Sequence, residues 1–245
     1  MTALVATGVT FAAVSAATSA SAAPAQASQT QVEAGRQLYL EGCATCHGLG
    51  AQGTEGYPSL IGVGAAAVDF QVSTGRMPLA ESGVQAPQKP ITYTPEQISD
   101  LAAFVASLGA GPAIPSASDL DTSAANLSEG GELFRINCQQ CHNFAGVGGA
   151  LSDGAYAPSL MNATPRLMWE AMVTGPQQMP VFSNGTLTPQ NKQAIIKYIT
   201  DMQTRPDPGG LALGSYGPVT EGLFAWIAGL GALLAAAVWI GAKVR

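Results

Sequence analysis

The sequence predicts a mainly α-helical chain: two similar small domains in tandem, flanked by an N-terminal and a C-terminal transmembrane helix. Three observations predict it. A five-residue pattern, C-x-x-C-H, occurs at Cys43–His47 and again at Cys138–His142, and the two copies use every cysteine and every histidine in the 245-residue chain. The stretches around the two copies repeat one another. An apolar run without charge, Gly222 to Ala242, lies near the end of the chain, and residues 1–32 are also uncharged.

C-x-x-C-H is the attachment pattern of c-type haem. Two thiols add to the haem vinyl groups, and the adjacent imidazole reaches the iron. The motif residues are therefore Cys43, Cys46 and His47 in one half and Cys138, Cys141 and His142 in the other. Two plainer readings compete. Four cysteines in two pairs could form one zinc site, but that leaves the histidine after each pair unexplained. Disulfides across a two-residue gap are strained and more often redox-active than structural.

With no third histidine, neither iron can take a second imidazole from this chain. Met77-Pro78 and Met179-Pro180 supply a candidate sixth ligand in each half, 30 positions after His47 and 37 after His142. Proline disfavours a helical conformation at the residue before it, so each methionine is expected in an extended loop that can cover a haem face. A thioether suits iron here, and His/Met ligation raises the reduction potential. The expected metal ligands are His47 with Met77 and His142 with Met179.

Residues 33–47 align with 128–142, pairing Gly35 with Gly130, Leu38 with Leu133 and Tyr39 with Phe134. Pro58-Ser59-Leu60 recurs as Pro158-Ser159-Leu160, and Thr94-Pro95 as Thr188-Pro189. On these registers Met161, Met168, Met172 and Met202 replace Ile61, Val68, Val72 and Leu108, so they read as core filling. Only Met77 and Met179 answer each other as methionines. Each unit is about 75 residues, small for a self-sufficient core, and a covalent haem would supply part of the missing apolar interior.

The elements are helical. Ala34–Leu40 and Gly131–Ile136 lead into the two motifs. Thr94-Pro95-Glu96-Gln97 carries an N-cap threonine, proline at the first helical position and glutamine three residues on. Ile98, Leu101, Ala102, Val105 and Leu108 follow as one apolar face. Thr188-Pro189-Gln190-Asn191 opens the corresponding helix, with Ile195, Ile196, Ile199 and Met202. The expected layout is a transmembrane helix or signal-like segment at 1–23, a haem domain at 30–108, a linker at 109–127, a second haem domain at 128–203, a linker at 204–220 and a transmembrane helix at 221–243. Residues 81–92 insert after Met77 without a counterpart after Met179, and read as a surface loop or a docking surface.

Gly222–Ala242 would extend roughly 32 Å as a helix, enough for a hydrocarbon core of about 30 Å. Trp226 and Trp239 lie near its ends, Glu221 precedes it, and Lys243 and Arg245 follow. The positive-inside rule then places the C-terminus in the cytoplasm and the haem domains outside the cell membrane, on the periplasmic side. Ala20-Ser21-Ala22 resembles a signal cleavage site, but no basic region precedes it. The net charge is −6 and only 11% of residues are charged, against about 25% in a typical soluble chain. No basic patch for nucleic acid is present.

An N-terminal helix running into C-x-x-C-H, a Pro-x-Leu, a Met-Pro and a closing helix together resemble class I cytochrome c. That resemblance implies that the carbonyls of Pro58 and Pro158 bind the ligand histidines. A closer resemblance rests on Phe70–Pro78 (FQVSTGRMP), Gln85–Pro90 (QAPQKP), Gly130–Phe134 (GGELF), Cys141–Phe144 (CHNF), Gly148–Leu151 (GGAL), Thr174-Gly175 and Trp239–Ala242 (WIGA). These stretches, across nearly the whole chain, resemble the dihaem cytochrome c subunit (cytochrome cc) of the actinobacterial cytochrome bcc complex. The family carries basic residues before its first helix; their absence here reads as a truncated or displaced start.

The resemblance implies a membrane-anchored dihaem electron-transfer subunit of a proton-translocating quinol–cytochrome c oxidoreductase. Its partners would be cytochrome b, the Rieske iron–sulfur subunit, membrane lipid and a haem–copper oxidase. Electrons would pass from the Rieske centre through two covalently bound haem c groups to the oxidase copper centre, with no bond chemistry on this chain and no catalytic residue. The runner-up is the dihaem relay subunit of a cbb-type oxidase, which is normally anchored by N-terminal helices. A dihaem peroxidase or thiosulfate dehydrogenase would need a labile sixth position, whereas both Met-Pro loops are intact.

The doubled motif predicts two covalent haems per chain. A pyridine haemochrome assay should return two per polypeptide, and the intact mass should carry two haem adducts.

Overall fold

The structure is a computed structural model that describes residues 27–205, 213–215 and 218–243. The first domain contains α1 (Gln29–Gly42), the single turn α2 (Ala44–His47), α3 (Gly64–Ser73) and α4 (Pro95–Ser107). The second contains α5 (Leu127–Asn137), the turn α6 (Gln139–His142), α7 (Pro165–Thr174) and α8 (Pro189–Thr204). A minimal antiparallel pair, β1 (Gly149–Ala150) with β2 (Tyr156–Ala157), is the sheet among the described residues. The apolar helix α9 (Pro218–Lys243) follows. The chain is thus mainly helical, with two domains and a C-terminal apolar helix. The expected N-terminal helix lies outside the described residues.

In each domain the first helix crosses the last. At Gly35 a Cβ would come 1.9 Å from the Asp100 carbonyl oxygen of α4. At Gly130 it would come 2.0 Å from the Ala194 carbonyl oxygen of α8. Only glycine lets the backbones approach this closely, so the two glycines set both crossings. One helical turn onward an aromatic pair seals each crossing: Tyr39 with Phe104 at 5.1 Å between ring centroids, and Phe134 with Tyr198 at 5.5 Å. Such tilted pairs contribute about 0.5–1.5 kcal/mol beyond the area they bury.

The closing helices begin as their sequences require. Thr94 accepts from the Gln97 N–H at 3.3 Å, and Gln97 accepts from the Thr94 N–H at 2.9 Å. Thr188 and Asn191 make the same reciprocal pair at 3.2 and 3.1 Å. Ile98, Leu101, Ala102 and Val105 are buried as read, joined by Phe104, which packs across the crossing; Leu108 caps α4 and is half-buried. Met168 and Met172 sit in the second core with Phe134, Trp169, Ile195 and Ile196. Met161 is a correction: it is only half-buried and lies outside that core, as its counterpart Ile61 is exposed in the first domain, because both follow Leu60 or Leu160 in a surface turn. Helix α3 is apolar without a stripe, so no period marks it in the sequence, whereas α7 opens with the same Thr-Pro signal as the closing helices, Thr164 accepting from the Leu167 N–H at 3.3 Å.

The segment between the domains is strapped down. The Ala66 N–H donates to the Pro112 carbonyl at 3.0 Å on the first domain. Gln193 Nε2 donates to Ser118 O at 2.9 Å, and Lys197 Nζ to Ala125 O at 2.8 Å, on the second. Val219–Lys243 is apolar, with a mean hydropathy of 2.2, and none of it is buried within the chain. Trp226 and Trp239 are exposed, and Lys243 Nζ lies 4.7 Å from the Trp239 ring centroid.

The domains meet where α3 packs on α7. Arg166 of α7 makes a two-pronged contact with Asp69 of α3, Nη2–Oδ1 and Nε–Oδ2 both at 2.8 Å, and its Nε also reaches Glu170 Oε1 at 3.1 Å. Glu170 is fully buried, and its Oε2 has no hydrogen-bond partner among the described residues. Burial and the neighbouring Asp69 push the Glu170 carboxyl up to about 8, with Arg166 opposing. Folding therefore favours the protonated carboxyl.

A carboxyl raised by folding binds its proton more tightly than the unfolded chain does. Stability is therefore lost as pH rises from the ordinary carboxylate range towards 8, by up to about 1.4 kcal/mol per pH unit. Glu170→Gln cannot ionise. Its melting temperature should fall less steeply than the wild type's between pH 5 and pH 8 (roughly the window between the two values), as followed by circular dichroism.

Candidate functional site

Each C-x-x-C-H motif lies directly after the helix that makes the crossing. The N–H of Cys43 still bonds Tyr39 O, at 2.8 Å, and that of Cys138 bonds Phe134 O, at 2.9 Å. The crossing glycine, the aromatic residue and the first cysteine thus form one rigid run. The next turn, α2 or α6, carries the second cysteine and the histidine inward; His47 and His142 are 8% and 9% exposed. A carbonyl can only accept, so His47 Nδ1–H donates to Pro58 O at 2.8 Å and His142 Nδ1–H to Pro158 O at 2.9 Å. This fixes the tautomer and leaves Nε2 with the lone pair that a metal needs. Burial pushes the His142 imidazole below its usual value, and the Pro158 carbonyl partly opposes it.

Met77 and Cys43 border the same apolar cluster in the first domain, and Met179 and Cys138 border its equivalent in the second. In the second domain Cys138, Cys141, His142, Pro158 and Met179 all line one cavity of about 670 Å³. That volume lies within the range of small-molecule sites, about 300–1,000 Å³. Its walls include Leu160, Met172, Ile195 and Ile199. An apolar cleft with a thiol pair, an oriented imidazole and a thioether fits haem c. The donor set would hold it by two thioether bonds and supply one nitrogen and one sulfur ligand.

The competing readings do not fit. Among the described residues no three His, Cys, Asp or Glu side chains gather as metal ligands, so the four cysteines do not form one zinc site. All four thiols are free. Burial, with the adjacent thiol adding to it, pushes Cys43 up to about 11 and Cys138 to about 12, away from the acidified thiol of a redox C-x-x-C.

Three features of the site were not legible in the sequence. Lys89, from the segment inserted after Met77, donates to the Gly75 carbonyl at 2.8 Å and also to that of Pro78, clamping the Met77 loop from both sides. The same segment reaches the second domain. Gln85 exchanges two bonds with the Tyr156 backbone, at 2.8 and 2.9 Å, and the Ala86 N–H donates to Gln177 Oε1 at 3.1 Å. Residues 81–92 are therefore a docking segment within the chain. Third, Phe70, Thr74, Arg76, Gln85 and Gln88 of the first domain help to line the second domain's cavity. Burial lowers the Arg76 guanidinium from its usual value, with Tyr156 opposing.

Comparison with known proteins agrees with this geometry. The cytochrome c family model matches residues 32–109, and the model for cytochrome c oxidase, cbb3-type, subunit III matches residues 125–199. The cytochrome bc1 complex cytochrome c subunit of Corynebacterium efficiens is 45% identical over 230 residues, covering 88% of this chain and 78% of that protein. Its counterpart in Mycobacterium tuberculosis is 45% identical over 224 residues, covering 89% and 80%. The cbb3-type cytochrome c oxidase subunit FixP of Sinorhizobium medicae is 30% identical over 126 residues, covering 48% and 40%. Two cytochrome c domains mean covalently bound c-type haem with its iron. A doubled thiol–imidazole–thioether constellation, an apolar C-terminal helix and this similarity along most of the chain lead to one conclusion: the chain belongs to the family of cytochrome c subunits of the cytochrome bc1 complex, the respiratory quinol–cytochrome c oxidoreductase.

Proposed function

We propose that this chain is a tethered two-haem relay. It accepts electrons from the Rieske iron–sulfur subunit and delivers them to the copper centre of a haem–copper oxidase. One haem is held by Cys43 and Cys46 with His47 and Met77 on the iron. The other is held by Cys138 and Cys141 with His142 and Met179. When bound, each iron supplies reversible one-electron storage. Everything else is the chain's work. The thioether bonds fix position, the proline carbonyls orient the imidazoles, and Lys89 holds the Met77 loop. The apolar cores exclude water, which limits reorganisation around a changing charge.

One observation carries the reading. The second domain's cavity, which holds its complete donor set, is walled in part by the first domain. Two sites in that arrangement suit transfer within one chain. The cytochrome b and Rieske subunits are the partners on the quinol side, in a complex that moves protons as it turns over. The haem domains lie on the outer face of the cell membrane, with Lys243 at the cytoplasmic end of α9. The cbb-type oxidase relay is the weaker reading, since its relative covers 48% of this chain.

Three experiments test the proposal. Purification in mild detergent should bring down cytochrome b, the Rieske subunit and the oxidase's copper-centre subunit; their absence would sink the partner assignment. Met77→His and Met179→His should each lower one of two midpoint potentials, because a thioether favours ferrous iron more than an imidazole does. A truncation after Arg205 should yield a soluble, red, redox-active dihaem protein while abolishing quinol-driven oxygen uptake. Respiration at the wild-type rate in truncated cells would exclude a tethered relay.

A further inference from the structure

Arg76 precedes Met77 in the first domain, yet its side chain belongs to the wall of the second domain's cavity. It is 7% exposed. Among the described residues it has no hydrogen bond and no ion pair; its guanidinium only stacks on Phe70, 5.0 Å from the ring centroid. The basic groups at the domain contacts are spoken for: Arg166 by Asp69 and Glu170, and Lys89 by two carbonyls. A buried cation without a counter-ion is costly, and a guanidinium carries five donors in a fork shaped for a carboxylate. An anion entering the cavity that Arg76 lines would pair with it. Haem c brings two carboxylates, its propionates.

We propose that Arg76, a first-domain residue, is the counter-ion for a propionate of the haem held in the second domain. The proposal rests on the haem assignment of Proposed function. It makes the second cofactor a bridge between domains: its vinyl side is bonded to Cys138 and Cys141, and its acid side is paired with the loop that carries Met77. Arg76 is a positioning residue that also places positive charge beside the second iron, favouring its ferrous form. The neighbouring Gln88 amide offers a further donor to the same carboxylate.

The test uses the full chain with both haems, in detergent, in a spectroelectrochemical titration. Met179→His marks which of the two waves belongs to the second domain. Arg76→Gln should lower that wave by up to tenfold in its ferric–ferrous equilibrium constant, about 59 mV for one electron. Arg76→Lys, which keeps the charge and loses the fork, should recover most of the shift. If both haems load and neither wave moves, or only the first domain's wave moves, Arg76 does not serve the second haem, although the relay reading stands. If the wild type carries a single haem, both proposals fall. Should Arg76→Gln fail to load, a structure of the haem-loaded wild type decides. A propionate oxygen within ion-pair distance of the Arg76 guanidinium supports the pairing, and propionates directed elsewhere overturn it.

Discussion

Two helices in each domain touch backbone to backbone at one glycine, and the rest of each domain is arranged from that contact. Gly35 of α1 against α4 and Gly130 of α5 against α8 leave no room for a Cβ. This close approach fixes where the aromatic of the next turn lands and therefore where Cys43 and Cys138 leave the helix. The motif does not have to find its place by loop closure; a packed crossing delivers it. The same crossing places the closing helices, and so the apolar residues Ile98 to Val105 and Ile195 to Ile199, against the interior that a haem would share.

From that common plan the two halves diverge, and the divergence joins them. The first domain's loop after Met77 is longer; it carries Lys89, which clamps that loop, and Gln85, which pairs with the Tyr156 backbone of the second domain. Helices α3 and α7 occupy equivalent positions and pack on each other through Arg166, Asp69 and Glu170. Arg166 already reaches two carboxyls, so a proton on Glu170 spares the interface a second buried negative charge. An interface made this way holds two redox domains in one geometry, which diffusion of separate carriers does not.

The helix α9 has a different physical character. Its glycines at 222, 229, 231 and 241 have nothing within 4 Å of a would-be Cβ. Its large exposed residues are leucine, isoleucine, valine, phenylalanine and tryptophan. Such a surface is expensive in water and ordinary in lipid, and small residues along it let another helix approach closely. Association with the membrane therefore accounts for the exposure of an element that contributes nothing to either core.

Much of this protein could be read without coordinates, because the relevant physics is local or periodic. Two C-x-x-C-H motifs, two Met-Pro pairs at similar spacing, capped closing helices and an uncharged apolar run each occupy one short stretch. A duplication lets one half check the other, as when Met168 and Met172 answer valines while Met179 answers Met77. What only the tertiary structure decided lies between residues far apart in sequence: Gln85 on Tyr156, Asp69 with Arg166, and Arg76 turned into the other domain's cavity. The separations are 71 residues for the first contact and 97 for the second. No propensity, period or cap encodes such a pairing. Arginine beside a ligand methionine reads as an ordinary surface charge until the domains are docked, and only then is it a buried cation facing an apolar cavity.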